Sequence, residues 1–80
     1  MELTLNQWHI LRAMSGGAPL VVRQATGIWH LAGKPVERDD VLALRRAKYL
    51  EVPGAWSDKT FLYAELTDEG RRIVAAEAGP

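Results

Sequence analysis

Catalysis or metal binding needs nucleophiles, acid–base pairs or ligand sets at set spacings, and this chain carries few such residues. Its two histidines, His9 and His30, stand in separate segments, and there is no cysteine. A structural zinc site takes four N, S or O ligands, most of them at short spacings, so these histidines do not make one. No metal or other cofactor is expected. Ser15-Gly16-Gly17 lacks the Lys and the Ser or Thr that complete a phosphate-binding loop. No order of Ser, His and Asp suggests a nucleophile with its base. Asp39 and Asp40 adjoin, but neighbouring side chains on a helix point about 100° apart, a poor arrangement for an acid working with a base. The chain is therefore expected to bind rather than catalyse.

Residue types that suit binding are more plentiful. Arg38, Leu42, Arg45 and Tyr49 fall on one stripe at helical spacing, and Trp56, Lys59, Phe61 and Tyr63 follow in a segment that reads as a hairpin. Arg, Tyr and Trp dominate the energetics of protein interfaces, because they bury large areas while keeping a polar handle. If exposed, these residues form a contact surface. If Trp56, Phe61 and Tyr63 pack under the first helix or the first hairpin, they are ordinary core, as Trp8 and Trp29 are expected to be. Arg23, Lys34, Arg45, Arg46, Lys59, Arg71 and Arg72 suit phosphate contacts or a solvated surface equally, with Lys59 best placed at the hairpin tip. Ten Lys and Arg balance ten Asp and Glu, so there is no long-range attraction to nucleic acid or anionic lipid.

The elements that position these residues can be read from capping, periodicity and turns. Thr4 and Gln7 make a capping box with Leu3 and Trp8 as its staple, which starts a helix at Leu5. Gln7, Trp8, Ile10, Leu11 and Met14 share its core side. Ser15 to Pro19 stop it. Leu20–Val22 and Ile28–Leu31 read as a hairpin; with Thr26-Gly27 as a two-residue loop, Val22 opposes Leu31 and Arg23 opposes His30. Gly33-Lys34-Pro35 breaks the chain.

A second helix then starts near Glu37 or Arg38. Its acids stand at the start and its bases at the end, as the helix dipole favours, and Val41, Leu44 and Ala47 face the core. Leu50–Trp56 and Thr60–Leu66 read as two strands joined through Ser57, Asp58 and Lys59. Leu62, Ala64 and Leu66 lie on one face of the second strand and Phe61, Tyr63 and Glu65 on the other. Thr67 caps a last helix carrying Ile73 and Val74.

The succession of Val41, Leu44 and Leu50, a hairpin, and the closing "ELTDEGRRIV" resembles the second half of winged helix-turn-helix domains of bacterial and phage regulators, over residues 36 to 75. Where that family usually carries a short helix before its recognition helix, Leu20 to Leu31 reads as a hairpin. The resemblance implies that the start of the second helix corresponds to the groove-reading end of a recognition helix. Glu37, Asp39 and Asp40 stand there, and phosphates would repel them.

The expected fold is a single α+β domain over residues 1 to 80, small and winged-helix-like, in the order helix, hairpin, helix, wing, helix. With 48% apolar residues it can supply the core that a chain of this size needs. No apolar run reaches membrane-spanning length, no basic start followed by an apolar run marks residues 1 to 20, and the lack of cysteine fits a reducing compartment. The expected location is the cytoplasm. The expected function is a protein-binding regulator or inhibitor of phage or mobile-element type, of which anti-CRISPR proteins are an example. The alternative is a DNA-binding transcriptional regulator, and a homodimer is left open.

Overall fold

The computed structural model describes residues 3–53 and 60–78. Their elements run α1 (Leu5–Ser15), β1 (Leu20–Arg23), β2 (Ile28–Leu31), β3 (Lys34–Val36), α2 (Arg38–Arg46), β4 (Leu50–Glu51), β5 (Phe61–Tyr63), β6 (Glu65–Leu66) and α3 (Asp68–Ala78). The class is α+β, with an antiparallel sheet ordered β3-β2-β1-β5 and a short second ladder, β4-β6. No described helix is long and apolar enough to cross a membrane.

α1 begins as its capping box requires. Thr4 Oγ1 accepts from Gln7 N at 3.2 Å, and Gln7 Oε1 accepts from Thr4 N at 3.1 Å. Gln7 is buried, and its amide nitrogen donates to Asp40 Oδ1 at 3.3 Å, which ties α1 to the first turn of α2. Ile10 and Leu11 from α1, Val41 and Leu44 from α2, Leu50, Leu66 and Val74 join one buried cluster with Leu20, Val22, Trp29, Leu31 and Leu62 of the sheet. The helices thus cover one face of the sheet.

The first hairpin has the expected faces but a different register. Val22 opposes Trp29 rather than Leu31, and His30 opposes Val21 rather than Arg23. Positive φ at Thr26 would crowd its β-branched side chain, so the loop widens to Gln24–Gly27 and only Gly27, at φ 70°, turns left-handed. Thr26 N and Gly27 N both donate to Arg23 O, at 3.2 and 2.8 Å. Because the slip is two residues, every side chain keeps its face.

The two-residue turn falls instead at Ala32-Gly33, with φ of 51° and 85°, the positive pair that a type I′ loop uses. It pairs Leu31 with Lys34 and makes a strand of Lys34–Val36, where a break was expected. Pro35 is tolerated because β3 lies at a sheet edge.

The expected two-stranded wing is divided. Leu50–Glu51 pairs with Glu65–Leu66, but Phe61–Tyr63 leaves that ladder and pairs with β1. Ala64 N to Leu20 O at 2.9 Å and Gln24 N to Thr60 O at 3.0 Å extend the β1–β5 pairing at both ends. The pairing sets Leu62 beside Val22, where both are buried. Residues 54–59, including the expected hairpin tip, lie outside the described residues.

Candidate functional site

Strand alternation sends every second residue of the four-stranded sheet away from the helices. Across the strands, Pro35, His30, Val21 and Tyr63 form one row, and Ile28, Arg23 and Phe61 form the next. Helix-free sheet faces of antiparallel proteins are ordinarily polar. This one is not, for Ile28 and Phe61 are each 49% exposed and Tyr63 is 60% exposed. Val21 and His30 are half-buried, Pro35 and Arg23 are exposed, and no acid stands among them.

The geometry follows from local sequence. Phe61 and Tyr63 sit two apart on β5, about 7 Å from one another along the strand. β5 takes its place because Leu62 between them inserts into the core. Arg23 directly opposes both Ile28 and Phe61, so in register it stands between an aliphatic and an aromatic residue. The ion pairs of the described residues, Arg71 with Asp68 and Arg72 with Glu69, lie on α3 and leave Arg23 out. Among the described residues, Arg23 is in no ion pair.

The helical stripe divides into parts. Arg38 and Arg45 are exposed on α2 and Leu42 is half-buried between them. Tyr49 lies beyond the helix, since Arg46 is its last residue and Lys48 turns left-handed at φ 65°. Tyr49 is half-buried and packs on the core cluster. Phe61 and Tyr63 point away from the side that α2 covers, so they do not prolong the stripe. Trp56 and Lys59 lie outside the described residues. Asp40, one of the acids at the start of α2, is half-buried and engaged by Gln7, a structural use of that charge.

The contribution of the first hairpin to an aromatic surface was missed, because nothing in the sequence pairs Phe61–Tyr63 with Val21–Arg23. The available signal was Ile28, an apolar residue on the side of the hairpin that Arg23 and His30 share. Among the described residues no group of three or more His, Cys, Asp or Glu is placed to hold a metal ion. Compared with family models, curated proteins and solved structures, the chain matches none of them.

Proposed function

We propose that this chain is a non-enzymatic protein-binding module, a small regulator or inhibitor, whose partner docks on the outer face of the four-stranded sheet. The observation that carries this reading is the exposure of Ile28, Phe61 and Tyr63 around Arg23 on a face the helices leave uncovered. Interface cores are enriched in aromatic residues and Arg and depleted in Lys, Glu and Asp, and this face has that composition. The winged-helix-like reading draws on α2, the β4-β6 ladder and the Thr67-capped α3, while Phe61–Tyr63 of the expected wing pairs with β1 instead. Occlusion of a larger nucleic-acid-handling complex, as anti-CRISPR proteins achieve, is the inhibitory form this reading takes, by analogy of size and element order.

DNA reading is the weaker alternative. Specific DNA binders carry many phosphate contacts, whereas the chain has no net charge and α2 opens with Glu37, Asp39 and Asp40. Titration of duplex DNA at about 0.15 M salt should give no submicromolar complex, where specific binders reach about 10 nM or tighter.

Capture of partners from host extract with the full chain tests the surface. Phe61→Ala or Tyr63→Ala should weaken the captured complex by about 30-fold, the loss expected for a true anchor of about 2 kcal/mol. Arg38→Ala with Arg45→Ala should leave it intact. The reverse pattern would move the interface to α2, and a tight operator complex would reinstate the DNA reading.

A further inference from the structure

Among the described residues of the outer sheet face, Arg23 alone carries a formal charge, and in register it stands between Ile28 and Phe61 with Val21 and His30 in the adjoining row. A guanidinium in an apolar frame has a definite preference. Once a partner excludes water, an unpaired charge there is costly, whereas a carboxylate can accept from it through two parallel N–H bonds in the geometry that Arg favours. None of the described residues of the face is an acid that could supply that carboxylate, and the ion pairs of the described residues lie on α3. We infer that the partner surface presents a carboxylate framed by apolar side chains, so that the acid meets Arg23 while its apolar neighbours cover Ile28 and Phe61.

The dimensions of the face bear on the occupant. Four strands at about 4.8 Å spacing, each contributing three or four residues at about 3.4 Å, give a plan area of only about 200 to 260 Å². A standard interface covers about 800 Å² on each partner. A second copy of the chain placed face to face would bury too little area and would oppose Arg23 to Arg23 across a two-fold axis. A nucleic-acid strand would find one formal positive charge among the described residues of the face, although affinity for phosphates grows with the number of cations that meet them. A short acidic and apolar protein segment suits both the size and the charge.

The inference rests on the outer face being a protein-contact surface, and one experiment can separate the two. The ¹⁵N-labelled full chain is titrated with three amphipathic helical peptides of roughly 16 residues, long enough to hold some helix. They share one apolar stripe and differ only in carrying Glu, Gln or Lys at its centre. Amide shifts of Val21–Arg23, Ile28–His30 and Phe61–Tyr63 report the face. The Glu peptide should bind there about tenfold more tightly than the Gln peptide, and Arg23→Gln should erase that preference while the apolar contribution persists. Equal binding of the Glu and Gln peptides at the face, or a preference that survives Arg23→Gln, would overturn the carboxylate inference and leave the protein-contact reading standing. If no peptide shifts the face, the inference also fails. If oligothymidine or self-association shifts it instead, the protein-contact reading fails with it.

Discussion

The joint between the end of α2 and the start of α3 and the outer face of the sheet lie in one small molecule under opposite rules. At the joint, Thr67 Oγ1 donates to Lys48 O at 2.6 Å and accepts from Gly70 N at 3.0 Å, and Thr67 N donates to Tyr49 O at 3.1 Å. The polar groups are paired and the backbones touch. On the outer face, large apolar groups lie open to water, and among the described residues Arg23 has no ion-pair partner. Paired polar groups and buried apolar ones are what folding demands. The joint is therefore explained by the fold, whereas the outer face does what folding does not ask for, and the proposed partner would account for it.

The largest expected effect tests that division on a single strand. Leu62→Ala removes a buried side chain beside Val22 and should cost about 2 to 5 kcal/mol in denaturant or thermal unfolding. Tyr63→Ala, one residue on, should change stability by no more than about 0.5 kcal/mol, because its ring is mostly in water. Equal losses at both positions would abolish the distinction between the faces and make the aromatic pair structural.

Next in size is Gly70→Ala. An alanine within a helix ordinarily gains about 1 kcal/mol over glycine. Here its Cβ would run into the Tyr49 carbonyl oxygen and lie 3.2 Å from Leu66 Cδ2. Backbone yields less than a flexible side chain, so overpacking of about 1 to 3 kcal/mol should exceed the propensity gain and leave a net loss. A rise in melting temperature would show that the joint is loose.

Gly70 also shows where legibility in the sequence begins and ends. The pattern of Thr followed three residues later by Gly was readable as a helix start, and the cap formed as expected. That the glycine is required by a carbonyl from a segment some twenty residues earlier was not readable, since periodicity carries no information about which backbones meet. The same limit explains the sheet. The in–out alternation of Leu62 against Phe61 and Tyr63 was evident from a period of two, and Val41, Leu44 and Leu50 are buried as their stripe implies. The partner strand was not evident, because β1 and β4 both offer an apolar edge and only tertiary packing chooses between them. Thr26-Gly27 looked like the tight turn because it contains a glycine after a small polar residue. Ala32-Gly33 took that role although alanine is an unusual occupant of positive φ. Of the candidate contact residues, Phe61 and Tyr63 gained neighbours that the sequence could not supply, namely Arg23 and Val21.

A smaller effect is expected from Thr67→Ala, which removes both hydroxyl bonds at the joint. Loss of a helix cap costs about 1 kcal/mol, and the Lys48 carbonyl can still turn to water. Thr67→Ser keeps both bonds and should restore most of the stability. If alanine and serine behave alike, the hydroxyl contributes nothing and the joint is held by apolar packing alone.

The smallest effect runs the other way, and it separates geometry from side-chain chemistry at the joint. α1 and α2 end with the same backbone pattern. After α1, Ala18 N donates to Ala13 O at 2.9 Å and Gly17 N to Met14 O at 3.0 Å, with Gly17 left-handed at φ 98°. After α2, Tyr49 N donates to Leu44 O and Lys48 N to Arg45 O, both at 3.0 Å, with Lys48 left-handed at φ 65°. Glycine is the usual occupant of that position, and a left-handed residue with a Cβ is disfavoured by roughly 1 to 2 kcal/mol. Lys48→Gly should relieve this strain, offset in part by the greater entropy of glycine in the unfolded chain. A net gain of about 0.5 kcal/mol is expected in thermal unfolding. The Lys48 carbonyl that Thr67 uses belongs to the backbone, so the gain should add to the effect of Thr67→Ala in the double variant only if glycine leaves that carbonyl in place. A gain that vanishes in the Thr67→Ala background would mean that glycine acts through the carbonyl that Thr67 binds and not through relief of strain at position 48.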